Sequence, residues 1–562
     1  MENPNLYKGG IRLDSEIDVT FNILKEYIDN NNNFCLDAGA GSGKTHTLIK
    51  VINYIRESLP EKKIVCITYT NNAKNEILER LSSTNNVSIS TIHDFIWKNI
   101  GKFQFSLRIE VNKMIEEKIE KFKLEGDAER LEKYQSSDLS SPIVYRNYES
   151  LRKGIISHDT LLKIFKSFLD NEIFCNIMFS SFDYIFIDEY QDTDKLVFYD
   201  FLDKFNQYKT NNCNIIMGLF GDFMQNIYED GIGQIDFVHQ NDFKYIKKEE
   251  NYRSCENIIK ANNCLRDDLK QVCKNKFEEN GKIIFVYNQS SDLFLNNDLD
   301  YCNYIRLHLS HRVIADEVGF SNIYKVYSNK YKDVSTILKN ADERFLKYIC
   351  RDVMPSIYDF NNDLSNTIIK NINMSFITFQ TLNEIKQKID DIVDNMNSLS
   401  ISDFLNSLFE LNIFSCSHYK QICQSYIDSD DDEFLKDILN ISSVEFYNYY
   451  CQFSSKTMLE TMHGTKGNEF ENVLINISET IPWTMYNFSK LLKKDNALKD
   501  SVRQRTLKLL YVSCTRAKKS LVINYIVDKK ESKNDLSALL MKNNVERIWN
   551  DNIEFINKTN DN

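Results

Sequence analysis

The stretch "FCLDAGAGSGKTHTLIKVINYI", beginning at Phe34, constrains the chain more than any other. Phe34 to Leu36 read as a short buried strand. Ala38, Gly39, Ala40, Gly41, Ser42 and Gly43 then let backbone N–H groups approach a chain of phosphates with no side chain in the way. Lys44, Thr45 and His46 follow, and Leu48, Val51, Ile52 and Ile55 recur at the spacing of a helix with one buried face. The N-terminus of that helix adds partial positive charge where phosphates would lie. In this arrangement Lys44 bridges the outer phosphates and the Thr45 hydroxyl ligates Mg²⁺. The pattern is Gly-x4-Gly-Lys-[Ser/Thr] with Ala38 in place of the first Gly.

A second stretch, "YIFIDEYQDTD" from Tyr184 to Asp194, drives four apolar residues inward and ends them on Asp188 and Glu189. Such a run reads as a central parallel strand, apolar on both faces. Ligands of open α/β sheets sit beyond the carboxyl ends of the strands, so the two acids are expected at the same edge as Lys44. Neighbouring residues on extended backbone point in opposite directions. Asp188 is therefore assigned to Mg²⁺ and Glu189 to the attacking water as general base.

Length sets the scale of the rest. A chain of 562 residues exceeds one compact core, and three or four structural domains are expected. Hydrophobic residues make up 42% and charged residues 27%, as in soluble globular proteins. The formal net charge of −12 weighs against a uniformly basic nucleic-acid binder, although a groove on an acidic body can be locally basic. Thirteen cysteines without a Cys-x-x-Cys pair point to reduced thiols and a cytoplasmic setting. Cys416, His418 and Cys423 lack a fourth ligand for a metal site. Neither a signal peptide nor a membrane span is expected.

Taken together, "AGAGSGKT" and "DEYQD" resemble the superfamily 1 helicases of the UvrD/Rep/PcrA type, and further motifs of that family follow in its order. "ITYTNNAKNEILERL" (from Ile67) resembles motif Ia and "STIHDF" (from Ser90) motif Ib. "GDFMQNIY" (from Gly221) resembles motif III and "NYRS" (from Asn251) motif IV. "TMHGTKGNEF" (from Thr461) resembles motif V and "YVSCTRAKK" (from Tyr511) motif VI. The resemblance implies an α/β fold of two RecA-like P-loop NTPase motor domains, parallel sheets flanked by helices, each with a mainly helical insertion. The first motor would span 1–95 with 180–250 around an insertion at 96–179. The second would span 251–330 with 455–562 around an insertion at 331–454. By the same resemblance Gln225 senses the γ-phosphate of ATP, Arg253 and Arg516 reach it from the second motor domain, Tyr252 stacks on adenine, and Glu469 meets the ribose beside Gly467. Tyr69 would stack on a DNA base, while Thr70, Asn71, Thr91, His93 and His463 would hydrogen-bond DNA phosphates. Each of those five also suits a turn or a helix cap.

The chain departs from the family in four places. No Gln precedes the phosphate loop in "LDSEIDVTFNIL" (from Leu13), and His46 stands where relatives often carry Arg. Asp230 replaces the Trp that in relatives stacks on DNA. The acidic pair usual before motif VI gives way to the basic run Arg503 to Lys508. The expected function is an ATP-hydrolysing motor on single-stranded or tailed DNA, moving 3′ to 5′. Size and texture also resemble the helicase subunit of Gabija anti-phage systems, which works with an OLD-family nuclease; motif VI ends about 40 residues before the last residue, so any DNA cutting is assigned to a partner. An ordinary repair or recombination helicase competes with that reading. A DNA-end or nucleotide sensor that gates a partner with little unwinding is a rival of another class. A small-molecule kinase or GTPase shares the phosphate loop alone.

Overall fold

The computed structural model describes residues 18–559 except 82, 138, 147, 212–213, 229–230, 234–242, 276, 278–280, 290–302, 332, 362–378, 412–415, 429–430, 455–456, 479–484, 528–534 and 551. Asp230 and residues 13–17 lie outside the described residues. The chain divides into two compact units. One comprises Met1–Ile283, Trp483–Lys519 and Asn543–Ile553; the other comprises Ile284–Pro482, Ser520–Lys542 and Glu554–Asn562.

The first unit is built on six parallel strands: β1 (Asn33–Ala38), β2 (Ile64–Thr68), β3 (Val87–Thr91), β4 (Tyr184–Asp188), β5 (Ile216–Gly221) and β6 (Phe243–Lys248). Their order across the sheet is β3-β2-β4-β5-β1-β6. The run that ends in two acids is therefore an interior strand, paired with β2 on one side and β5 on the other. Alternation along the strands supplies two cores. Cys35, Val65, Ile67, Ile185, Ile187, Met217 and Leu219 face one side. Phe34, Leu36, Ile64, Cys66, Phe186, Ile216 and Phe220 face the other. Successive residues of a strand point to opposite faces, and only a sheet covered on both sides can be apolar at both.

The two covers differ in origin. Leu48, Val51, Ile52 and Ile55 of the helix Lys44–Ser58 fill one face, joined by Leu24 and Ile28 of the helix Val19–Asp29. The other face takes Phe95, Leu107, Val111, Leu161, Phe165 and Phe168 from the segment that separates β3 from β4. That segment is anchored through its apolar stripes and solvated elsewhere. The helix Gln104–Glu125 buries Leu107, Val111 and Ile115 near its start, and its charged second half ends at Gly126 with φ 71°. The helix Ala128–Gln135 buries nothing and carries the i,i+4 pair Lys133–Glu129.

The second unit contains β7 (Ile283–Asn288), β8 (Ile305–His308), β9 (Leu459–Thr461), β10 (Phe470–Ser478), β11 (Ala517–Ile526) and β12 (Glu554–Asn557), in the order β9-β8-β10-β11-β7-β12. β8 runs parallel to both β9 and β10, and β7 to β12. β8 is followed by a helix, His311–Val318. Helices between β8 and β9 close a core of their own around Phe345, Ile349, Phe404, Leu408 and Phe446. Two α/β regions with parallel strands and flanking helices match the expected fold class. No helix among the described residues is long and apolar enough to cross a membrane.

Candidate functional site

Because all six strands of the first sheet run in parallel, their carboxyl ends share one edge, and the motifs follow those ends strand by strand. The phosphate loop follows β1; Tyr69, Thr70 and Asn71 follow β2; Thr91 ends β3 and His93 follows it. Glu189 follows β4, Asp222 and Gln225 follow β5, and Asn251 to Arg253 come shortly after β6.

The loop itself is a cradle. Gly41 and Gly43 take φ of +76° and +75°, a region where other residues are strained. A Cβ on Gly41 would also lie 2.6 Å from Cβ of Arg253, so the close approach of motif IV requires glycine there. Ser42 Oγ is buried and has no hydrogen-bond partner among the described residues. Leaving a buried hydroxyl unpaired costs about 1–3 kcal/mol, and a phosphate oxygen is the kind of acceptor that would satisfy it. Lys44 and Thr45 open the helix Lys44–Ser58, with His46 exposed on its first turn. Ala38, Gly39 and Ala40 carry the chain off β1, and the Ala40 carbonyl accepts from Asn251 Nδ2 at 2.9 Å and Gln271 Nε2 at 3.1 Å.

Lys44 is buried and its Nζ lies 2.6 Å from Glu189 Oε1. Burial alone would lower its pKa, but the Glu189 and Asp188 carboxylates outweigh burial and hold it above the ordinary lysine value. Asp188 shows the opposite balance. Burial, only partly offset by Lys44, pushes its carboxyl up to about 7. The expected alternation of the two acids is corrected here. The strand ends at Asp188, and Glu189 adopts a left-handed backbone with φ 53°. The turn, rather than strand geometry, sets the direction of Glu189, and its N–H donates back to Asp188 Oδ1 at 3.0 Å. A non-glycine residue held in that region is strain of the sort that functional sites retain.

Sequence reasoning gave no role to several residues that hold these groups in place. Gln191, fully buried, donates through Nε2 to Glu189 Oε2 and accepts from the Asp222 N–H at 3.2 Å. It stood in the quoted string two places after Glu189, and its burial was the missing information. Asn251 Oδ1 accepts from the N–H groups of Arg253 and Ser254 at 2.9 and 3.0 Å, while the Tyr252 N–H donates to the Gly41 carbonyl at 2.9 Å. Motif IV is thereby laced to the phosphate loop, and the half-exposed Tyr252 ring lies beside Gly43.

Gln225 donates from Nε2 to Asp222 Oδ2 at 3.0 Å, and Arg516 Nη2 donates to Gln225 Oε1 at 3.4 Å. Arg516 is buried, with Nε on the Val512 carbonyl at 2.9 Å. Arg253 Nη1 donates to the Thr515 carbonyl at 3.3 Å. Lys44, Glu189, Gln225, Arg253 and Arg516 thus belong to one connected polar network in the first unit. Gly467 and Glu469 are exposed in the turn between β9 and β10, in the second unit.

For a divalent cation, the Thr45 hydroxyl and the Asp188 carboxylate are hard oxygen donors of the right type. A buried carboxylate incompletely neutralised by its neighbours fits that use.

The residues assigned to DNA divide by local role. Thr70 caps the helix Asn71–Arg80 and Thr91 caps Ile92–Ile100, each accepting a backbone N–H at 3.2 Å; a capping hydroxyl keeps its hydrogen as a donor. Asn71 is exposed on the first turn of its helix. The Tyr69 ring lies 5.5 Å from that of Tyr228. Burial, then His158, lowers His93 to about 4, and burial, then His311, lowers His463 to about 4. Both histidines are neutral near pH 7 and have hydrogen bonds, not charge, to offer a phosphate.

Asp37, on β1 just before the loop, accepts from Tyr245 OH at 2.6 Å, while its Oδ1 is buried without a partner among the described residues. Burial, then the charge of Asp222, raises its carboxyl to about 6. A folded pKa above the unfolded value means that stability is greatest below about 4 and is lost as pH rises through about 6. Asp37→Asn is therefore expected to stabilise the protein by on the order of 3 kcal/mol at pH 8 and about half that at pH 5. Melting temperatures at the two pH values test this, and an equal gain at both would contradict it.

Residues 23–230 match the family model described as an AAA domain, and residues 320–528 match the UvrD-like helicase C-terminal domain. The chain is 27% identical to a Gabija protein GajB of Bacillus cereus strain HuB5-5, over 92% of this chain and 97% of that one. It is 25% identical to the GajB of Bacillus cereus strain VD045, over 93% and 99%. It is 28% identical to an ATP-dependent DNA helicase Rep of Buchnera aphidicola from Schizaphis graminum, over 58% and 54%.

Proposed function

From the premise that this chain belongs to the UvrD-like superfamily 1 DNA helicases, we propose that it is a 3′-to-5′ single-stranded DNA translocase that acts in anti-phage defence beside a nuclease of the OLD family. The observation that carries the motor reading is the single network joining Lys44 and Glu189 to Gln225 and Arg516. Relatives of GajB type that match over nearly their whole length support the defence role, and the family resemblance supports the polarity and the partner.

The residues divide the work as follows. The N–H groups of residues 39–45 and the Ser42 hydroxyl bind the phosphates of ATP, and Tyr252 covers the base. To reach a terminal phosphate Lys44 exchanges Glu189 for phosphate oxygens. That exchange returns the Glu189 carboxylate to the attacking water as base. Thr45 and Asp188 would hold Mg²⁺, which would supply charge neutralisation to the phosphates. Gln225, Arg253 and Arg516 face the γ-phosphate and offset the charge that develops on it. Tyr69 stacks on a base, and Thr70, Asn71, Thr91, His93 and His463 meet the DNA backbone. Base stacking of this kind contributes about 1–3 kcal/mol per base without sequence preference.

Strand displacement tests the reading. With ATP, a duplex with a 3′ single-stranded tail is expected to be unwound at least about tenfold faster than one with a 5′ tail or blunt ends. ATP turnover stimulated by single-stranded DNA without displacement would favour the sensor reading, which the Asp230 replacement also favours. Absence of stimulation by DNA would return the small-molecule kinase or GTPase.

A further inference from the structure

We infer that Arg266 is a positioning residue for ATP hydrolysis: its buried guanidinium neutralises Asp222, and so keeps Gln225 and Arg516 aimed at the terminal phosphate. This inference rests on the reading of those two residues as phosphate-facing groups. Arg266 lies outside every motif named above, between "NYRS" and Gln271. It is nonetheless among the most buried charges of the first unit, as is Asp222. Arg266 Nη1 donates to Asp222 Oδ2 at 3.1 Å and to the Tyr511 hydroxyl at 2.8 Å, and its Nε donates to Asp268 Oδ1 at 3.1 Å.

One oxygen, Asp222 Oδ2, therefore gathers Gln225, Arg266 and, at 3.4 Å, Tyr511. Tyr511 and Arg516 both belong to motif VI, so the contact ties motif III to motif VI through a residue of neither. The chemistry fixes the orientation of Gln225. Its amide nitrogen must face the carboxylate, which leaves the amide oxygen toward Arg516, as observed. Charge explains why a cation is needed at position 266. A buried carboxylate stripped of its partner is strongly destabilised and attracts the nearest cation. Without Arg266 that pull falls on Gln225 and, through its amide, on Arg516. An Arg516 turned by Gln225 toward Asp222 is lost to the phosphate. Desolvation opposes the charge on Arg266, yet Asp222 and then Tyr511 and Asp268 hold its pKa well above the ordinary value, so it stays cationic.

The experiment is a double-mutant cycle read in ATP turnover with single-stranded DNA, with nucleotide affinity measured in parallel. Arg266→Gln is expected to lower kcat about 30-fold while the Kd for nucleotide stays within about threefold. In a Gln225→Ala background the same substitution is expected to cost less than about threefold, because its route is already cut. A purely structural residue would give the same loss in both backgrounds, and that additive result overturns the inference. Should Arg266→Gln fail to bind nucleotide, Tyr511→Phe removes a donor to Asp222 without changing charge. Its expected loss is about fivefold, again absent beside Gln225→Ala; wild-type turnover or an additive loss overturns the inference. If Gln225→Ala itself turns over ATP normally, the phosphate-facing role of Gln225 fails, and this inference with it. An impaired Gln225→Ala beside a normal Arg266→Gln removes the present inference alone.

Discussion

Lys44→Ala is expected to lower ATP turnover by about 10³-fold or more, since removing one preorganised donor at a developing charge costs about 10²–10³ and Lys44 also carries a full charge. The loss has two parts. Lys44 is the cation held 2.6 Å from Glu189, and the Asp188 and Glu189 charges are what hold its pKa up. Truncation leaves those two acids without it, and a triphosphate would bring further negative charge into the same buried space. Nucleotide affinity is therefore expected to weaken by about tenfold or more alongside turnover. Equilibrium binding of a fluorescent nucleotide and steady-state phosphate release measure the two parts. Turnover within tenfold of wild type would place the chemistry elsewhere.

Glu189→Gln is expected to separate binding from hydrolysis. The substitution keeps the size of the side chain and an oxygen for Lys44, but removes the base. General-base catalysis is worth about 10²–10⁴, and a loss of that size is expected with nucleotide affinity within about threefold. The chain should then retain ATP unhydrolysed through a rapid desalting step. Equal loss of binding would make Glu189 a structural partner of Lys44 rather than the base.

Much of this arrangement was legible in the residues. The apolar runs Phe34 to Leu36 and Tyr184 to Ile187 and the small residues between Ala38 and Gly43 placed a phosphate loop and an acid pair at one edge of a parallel sheet, and the strands lie so. What escaped were features decided by burial and by pairs distant in sequence. Nothing in "DEYQD" shows that Glu189 turns left-handed or that Gln191 is sealed beneath it. Arg266 and Asp268 read as ordinary charges in "LRDDLKQ", because the partners that give Arg266 meaning, Asp222 and Tyr511, stand 44 and 245 residues away. The alternation argument for Asp188 and Glu189 failed for a local reason, since Glu189 lies beyond the strand in a left-handed turn. Thr70 and Thr91 cap helices, as their residue types also suited, and each hydroxyl keeps a hydrogen to donate.

The most direct measurement is a crystal structure of the Glu189→Gln chain with ATP, Mg²⁺ and single-stranded DNA. It should show the γ-phosphate within hydrogen-bonding reach of Lys44 Nζ and of the Arg253 and Arg516 guanidinium groups. A terminal phosphate bound at the loop but remote from both arginines would contradict the account.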